Sequence, residues 1–439
     1  MTARPPVHLV LRGRVVTPDR VIADGVVVAQ EGVLTYVGPP AQSPVVPPGP
    51  STATILPGLV DVHCHGGGGA GFPDVSTADE ARVAVREHLS HGTTTLVASL
   101  VTAAPATLLA RTALLADVCD DGDLAGIHLE GPFLSPARKG AQDPDLMTDG
   151  SVALVREVAR TARGHLVTMT VAPEVRGVLG PDGVVEALAA AGAVPSFGHT
   201  DAGAGVVREA VGQARAALLR HGARSLRPTA THLFNGMRPL HHRDPGPVAA
   251  LLASAARGDA VVELVGDGVH LDPETVRAVA DVAAAADGVI LVTDAMAAAG
   301  MPDGAYRLGT ADVVVDGGVA RLASDGAIAG GTAHLLDVLR HTVAAGVDLV
   351  TAVRMASVVP AGVLGRADVG RLEPGARADL LLVDDALAPL AVLRAGRIAS
   401  GDLPGPLGDP APQVDPAPQV DPADRRAGGH PRSALGYTS

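Results

Sequence analysis

Between residues 60 and 294 the chain repeats one unit, a short apolar run followed by a stretch rich in Ala, Leu and Arg. The runs fall near 60–65, 94–101, 124–130, 166–172, 193–199, 229–234, 260–266 and 289–294. Apolar strands alternating with helical stretches bury each strand between helices and force the strands parallel. About eight such units predict an α/β fold, a (β/α)8 TIM-type barrel, with any chemistry at the carboxyl ends of its strands.

The flanks read differently. Residues 7–38 alternate apolar and polar positions in short runs broken by Pro, Asp-Gly and Glu-Gly turns, the pattern of a β-meander. A Pro-rich connector follows over 39–50, and residues 369–399 return to short strands and turns. Pairing between these segments predicts a small discontinuous β-sandwich domain formed by both chain ends. The expected division is 1–56 and 367–402 for the sandwich, 57–366 for the barrel, and 403–439 for a disordered Pro-rich tail carrying two copies of PAPQVD. Within 304–330, DVVVDGGVARLASDG signals a hairpin inserted near the barrel mouth.

Metal-competent residues close five of the strands. His63 and His65 flank Cys64 at the end of the first, and their i, i+2 spacing sends both imidazoles to one side. Glu130 ends the third strand in GIHLEGPF, where a carboxylate straight after an apolar run is costly unless partnered. His128, two residues earlier, reads as a packed or supporting histidine. His199 ends the fifth strand, His232 the sixth and Asp294 the eighth. Alone, each passes as a core or loop residue; at corresponding ends of one barrel they form a constellation.

Such ligands suit a divalent ion, which lowers the pKa of a water towards 7 and polarises a carbonyl, so the expected chemistry is hydrolysis. Asp294 would take the proton of the attacking water and pass it to the departing amine. The sole lysine, Lys139, lies in the loop after the third strand, so no strand-end lysine can bridge two ions and the acidic ligand falls to Glu130.

Composition excludes other classes. Aromatics make up 2% of the chain, there is no Trp, and the formal net charge is −13, so a nucleic-acid partner is not expected. A small anion still fits, since a few cations and backbone amides suffice to hold one phosphate. The two cysteines, Cys64 and Cys119, make neither a disulfide framework nor a zinc-ribbon spacing. With no secretory h-region and no uninterrupted apolar span of about 20 residues, a cytoplasmic protein without a membrane partner is expected.

The segments LPGLVDVHCHG, GIHLEGPFLSPARKGAQDP, SFGHTDA, THLFNGMRPLHHRDPG, GDGVHLD and LVTDAM, then AGGTAHLLD and MASVVPAGVLG, stand in order over residues 55–365. Together they resemble the amidohydrolase superfamily, and HLEGPF and THLFNGM resemble its branch that deacetylates phosphorylated amino sugars. The resemblance implies hydrolysis of the acetamide of N-acetyl-D-glucosamine 6-phosphate. It implies a primary metal on Glu130, His199 and His232, a second on His63 and His65, and Asp294 as acid and base. One or two divalent ions per subunit would be held, Zn foremost, with Fe, Mn and Co suited to the same ligands. Ala141, Gln142, Asn235, Gly236 and His270 would contact the sugar phosphate. Arg243 would reach the phosphate in the neighbouring active site, which implies a homodimer.

Gln142 departs from the pattern, because many members carry a histidine there and glutamine cannot carry a proton. The loop from Ser135 to Asp149 has the Pro, Gly and charge content of a lid. Two alternatives stand beside this reading: a related amidohydrolase acting on another N-acyl amino sugar phosphate or N-acyl amine, and a non-catalytic sugar-phosphate sensor. The complete set of six groups argues against the sensor.

Overall fold

A computed structural model describes residues 8–45 and 48–403. The expected tail lies outside the described residues from 404 onward. Eight parallel strands, numbered here along the barrel, form one sheet: β1 Leu59–Cys64, β2 Thr93–Leu100, β3 Gly126–Glu130, β4 Leu166–Val171, β5 Val194–Phe197, β6 Thr229–Ala230, β7 Val261–Leu264 and β8 Val289–Leu291. Every residue in them is buried, the reason each reads as a near-continuous apolar run.

The sheet closes just beyond its strand ends. Asp294 N–H donates to the His63 carbonyl (2.9 Å), and His65 N–H donates to the Ala295 carbonyl (2.7 Å). The barrel seam therefore runs through three of the residues singled out for chemistry. Below it, the buried Asp61 carboxylate accepts the Thr293 hydroxyl at 2.6 Å, and burial pushes the Asp61 carboxyl up to about 6 against that bond.

Helices cover the outside of the sheet, each turning an apolar stripe inward. Helix Val152–Thr161 is typical: Leu154, Val155 and Val158 are buried, and the Ser151 side chain accepts the Leu154 N–H. Such a cap is worth about 1 kcal/mol. After β8, strands Gly304–Leu308, Ala311–Asp316 and Val319–Leu322 make the expected antiparallel insertion. Its inward residues Leu308, Val313 and Val315 pack on Val101 and Met296, just past the ends of β2 and β8, so the insertion lies over the barrel mouth.

The chain ends meet in one seven-stranded sheet. Thr54–Pro57 is its joint, parallel to His8–Val16 on one side and antiparallel to Leu380–Val383 on the other. Alternation divides the two faces: Leu380, Leu382, Ala391 and Leu393 join Leu9, Leu11, Val27 and Ala29 in a separate core, whereas Leu381, Val383 and Val392 pack into the barrel core. The Leu34 N–H donates to the Ala376 carbonyl (2.8 Å), so the sheet curls until its free edge meets the chain leading into Leu380–Val383.

Candidate active site

His63 and His65 leave the end of β1 and Glu130 ends β3, while His199, His232 and Asp294 follow β5, β6 and β8. All six are buried. His199, His232 and Asp294 adopt φ of 46°, 28° and 48°, left-handed values rare outside glycine, at a cost on the order of 1–3 kcal/mol each. Backbone bonds hold those turns: the His199 carbonyl accepts Ser135 N–H (3.0 Å), Leu233 N–H donates to the Glu263 carbonyl (2.8 Å), and the Asp294 carbonyl accepts Gly331 N–H (2.6 Å).

The imidazoles are oriented from behind. His63 Nδ1 lies 2.9 Å from Glu263 Oε2, His65 Nδ1 3.2 Å from the Ser99 carbonyl, and His199 Nδ1 2.8 Å from the Arg138 carbonyl. Each partner can only accept, so each Nδ1 carries the proton and each Nε2 presents a lone pair. These lone pairs converge. His63 Nε2 and His65 Nε2 are 3.1 Å apart, and His65 Nε2 is 3.1 Å from Glu130 Oε2. His199 Nε2 and His232 Nε2 approach Glu130 Oε1 at 2.7 and 2.9 Å. Asp294 Oδ1 stands 3.4 and 3.3 Å from the His63 and His65 Nε2 atoms.

Acceptors crowded on acceptors in a buried space require positive charge between them. Glu130 serves two trios, His63/His65/Glu130 and Glu130/His199/His232, whose ligand atoms lie within 4.8 Å of one another. His232 Nδ1 is buried without a partner. This nitrogen and oxygen donor set fits one or two divalent ions. Burial works to raise both carboxyls, but charge drawn onto the imidazoles, His199 foremost, holds Glu130 well below its ordinary range, and that on His63 and His65 holds Asp294 below its own; a bound ion would supply that charge instead. His128 belongs elsewhere. Its nitrogens meet Ser99 Oγ and Thr170 Oγ1, each at 2.9 Å, and burial keeps it neutral behind His63.

A cavity of about 260 Å³ opens above the set, and Ala141, Gln142, Asn235, Gly236 and His270 line it, as do Leu308, Ala327 and Ile328 from the insertion. Gln142 has an unexpected contact: its side-chain N–H donates to Glu130 Oε2 (2.8 Å) and its carbonyl accepts Thr102 N–H (2.8 Å), so it clamps a carboxylate. Gly236, at φ +58°, has a steric role as well, because a Cβ there would lie 2.7 Å from His199 Nδ1. His270 is held by Asp267 (2.8 Å), and that bond raises the imidazole pKa against the opposing effect of burial. The loop 135–149 is tied down by Arg138 to Asp201 (2.8 Å) and Lys139 to Asp325 (3.2 Å).

Arg243 does not line the cavity of its own chain. It is exposed and makes no ion pair among the described residues, while its neighbour Asp244 pairs with Arg238 at 2.7 Å. Sequence reasoning missed Glu263 and Asp61, whose signal is a carboxylate embedded within an apolar strand. A larger cavity of about 720 Å³ lies outside the barrel between helices Val152–Thr161 and Val184–Ala190, remote from these groups.

A barrel whose strand ends gather histidines and carboxylates around a cation position is the architecture of a metal-dependent hydrolase, and the chain belongs to the amidohydrolase family, which it matches over residues 54–400. It is 32% identical to N-acetylglucosamine-6-phosphate deacetylase of Bacillus subtilis (strain 168) over 403 residues, 88% of this chain and 95% of that one. Identity is also 32% to N-acetylgalactosamine-6-phosphate deacetylase of Escherichia coli O157:H7, over 86% of this chain and 94% of that one. The fold is similar to a mutant N-acetyl-D-glucosamine-6-phosphate deacetylase of Mycobacterium smegmatis in complex with N-acetyl-D-glucosamine-6-phosphate. That likeness has a TM-score of 0.81 and 40% identity, and covers 90% of this chain and 99% of the other. Among the described residues no helix is long and apolar enough to cross a membrane.

Proposed function

We propose that this chain hydrolyses the acetamide of N-acetyl-D-glucosamine 6-phosphate to D-glucosamine 6-phosphate and acetate, a step of amino-sugar catabolism and cell-wall recycling. The observation that carries the reading is the convergence of five ligand-type side chains and Asp294 beneath one cavity. Glu130, His199 and His232 would hold a primary divalent ion and His63 with His65 a second, Zn being the first choice and Fe, Mn or Co suiting the same donors. When bound, the metal supplies Lewis acidity, lowering the pKa of a water and polarising the amide carbonyl.

The chain's own groups do the rest. Asp294, ionised and beside the ligand set, takes the proton of the water as oxygen bonds to the acetyl carbon. It then delivers that proton to the nitrogen as the C–N bond breaks, because an amine leaves poorly until protonated. Gln142 keeps Glu130 in place during the reaction. Asn235, the backbone of Gly236, and His270 fit the sugar phosphate, and Arg243 of one subunit completes the phosphate site of its partner in a homodimer. A cytoplasmic location accompanies this reading, because a phosphorylated sugar does not cross a bilayer unaided.

Acetate release should be measured on N-acetylglucosamine 6-phosphate, its galactosamine epimer and unphosphorylated N-acetylglucosamine. The likeness to the E. coli relative makes the epimer the competing substrate, and a higher kcat/KM on it would replace this assignment. Arg243→Ala is expected to raise KM for the phosphorylated sugar at least about tenfold, in line with loss of a charged hydrogen bond, and to leave the unphosphorylated sugar unaffected. Equal effects on both would remove Arg243 from the phosphate site.

A further inference from the structure

Glu263 stands inside β7, in VVEL, with its carboxylate buried. It does not line the cavity, so it meets no substrate. One oxygen, Oε2, takes both side-chain hydrogen bonds that Glu263 makes among the described residues: from His63 Nδ1 at 2.9 Å and from the His232 backbone N–H at 3.1 Å. A carboxylate buried in a barrel interior is costly unless its partners return the lost hydration. Here those partners belong one to each of the two trios that share Glu130.

The consequence for His63 is specific. A neutral imidazole carries its single proton on either nitrogen, and only the form with the proton on Nδ1 leaves Nε2 free to ligate. Glu263 selects that form and fixes the ring plane, aiming Nε2 to within 3.1 Å of His65 Nε2. The same oxygen pins the His232 amide, where φ is 28° and the backbone is least able to hold its turn unaided. From this geometry we propose that Glu263 is the positioning residue that creates the second ion position, and that without it the chain holds one ion instead of two. The inference rests on His63 and His65 being ligands, as the proposed function has them.

The test is zinc titration of dialysed, full-length wild type, Glu263→Gln and Glu263→Leu, with the number of ions and each Kd measured and folding followed by circular dichroism. Wild type is expected to take up two ions. Glu263→Gln keeps a carbonyl acceptor but loses the charge, and should bind the second ion about 10- to 100-fold more weakly. Glu263→Leu, which also frees the His232 amide, should bind one ion, with the first Kd raised by less than about tenfold. Two ions bound by Glu263→Leu with wild-type affinity would overturn the inference. So would loss of both ions alike from folded Glu263→Leu, or a wild type that takes up only one. Should Glu263→Leu fail to fold, Glu263→Gln decides, an unchanged second Kd overturning the proposal. If wild type neither binds zinc nor releases acetate, the functional reading itself fails; if it does both and the variants match it, only the role of Glu263 falls.

Discussion

Glu130 with His199 and His232, and Glu87 with His91 and His334, are both trios whose donor atoms lie within 4.8 Å of one another. They differ in where the lone pairs point. In the first, His199 gives its Nδ1 proton to a distant carbonyl and turns Nε2 on a carboxylate shared with His232. In the second, the His91 and His334 rings lie face to face, 3.6 Å apart and 9° from parallel, so an ion between them would sit out of both ring planes, where no lone pair extends. His334 Nε2 is already on Glu87 (2.9 Å), His91 Nδ1 on the Glu87 carbonyl (2.9 Å), and the His334 N–H on Asp337 (3.2 Å) at the head of helix Leu335–Ala344. That trio is a clamp between two helices. Residue type and proximity do not distinguish the two; the direction of the free electron pair does.

The sharpest way to break the comparison is to remove the carboxylate from each trio. Glu130→Ala is expected to lose bound metal and bring acetate release to the detection limit, whereas Glu87→Ala keeps both, read by metal analysis and kcat. Metal loss from Glu87→Ala would erase the distinction.

A smaller effect concerns stability beside the second trio. His88 is buried against the Gly66 carbonyl (2.8 Å), and burial, aided by His334, depresses its imidazole to about 4. A depressed folded-state value means stability that is complete above the unfolded value near 6.5 and is lost as pH falls towards 4. The contribution is about 3 kcal/mol, since each unit is worth roughly 1.4 kcal/mol. Denaturant unfolding of His88→Gln should therefore show a flatter profile from pH 6.5 down to 4 than wild type. Parallel profiles would remove His88 from the acid sensitivity.

The gentlest perturbation adds one methyl group to the first trio. Gly236→Ala would place Cβ 2.7 Å from His199 Nδ1 at a φ that L residues avoid. Displacing that ligand by a fraction of an ångström should lower kcat/KM by about 10- to 100-fold, and the strained φ should cost about 1–2 kcal/mol in unfolding by denaturant. Wild-type kinetics would show that the His199 ring has room to move.

The barrel was legible because strands buried on both faces have to be apolar along their whole length, and each of the eight expected runs holds a strand. The strand ends were less so. The apolar pattern carries the fifth, sixth and eighth runs on to 199, 234 and 294, but strands β5, β6 and β8 stop at Phe197, Ala230 and Leu291. There the backbone turns left-handed at His199, His232 and Asp294, a departure that no hydrophobic period records. Glu263 was hidden for a related reason: a carboxylate in VVEL reads as an interruption until the register turns it onto His63. The contact from Gln142 to Glu130 depends on how a loop of two short turns is tied down. Arg243 lies exposed and off the cavity of its own chain, so the phosphate contact expected of it is not made within one chain.

The central claim is that cationic metal among these lone pairs, with Asp294 beside it, performs the hydrolysis. Acetate release from N-acetylglucosamine 6-phosphate, followed for wild type and Asp294→Asn after chelation and again after reloading with a divalent ion, puts it to the test. The expected result is no turnover by either stripped protein, restored turnover by reloaded wild type, and an Asp294→Asn protein that regains its metal but stays about 10²- to 10⁴-fold slower. Full activity in metal-free wild type, or in reloaded Asp294→Asn, would contradict it.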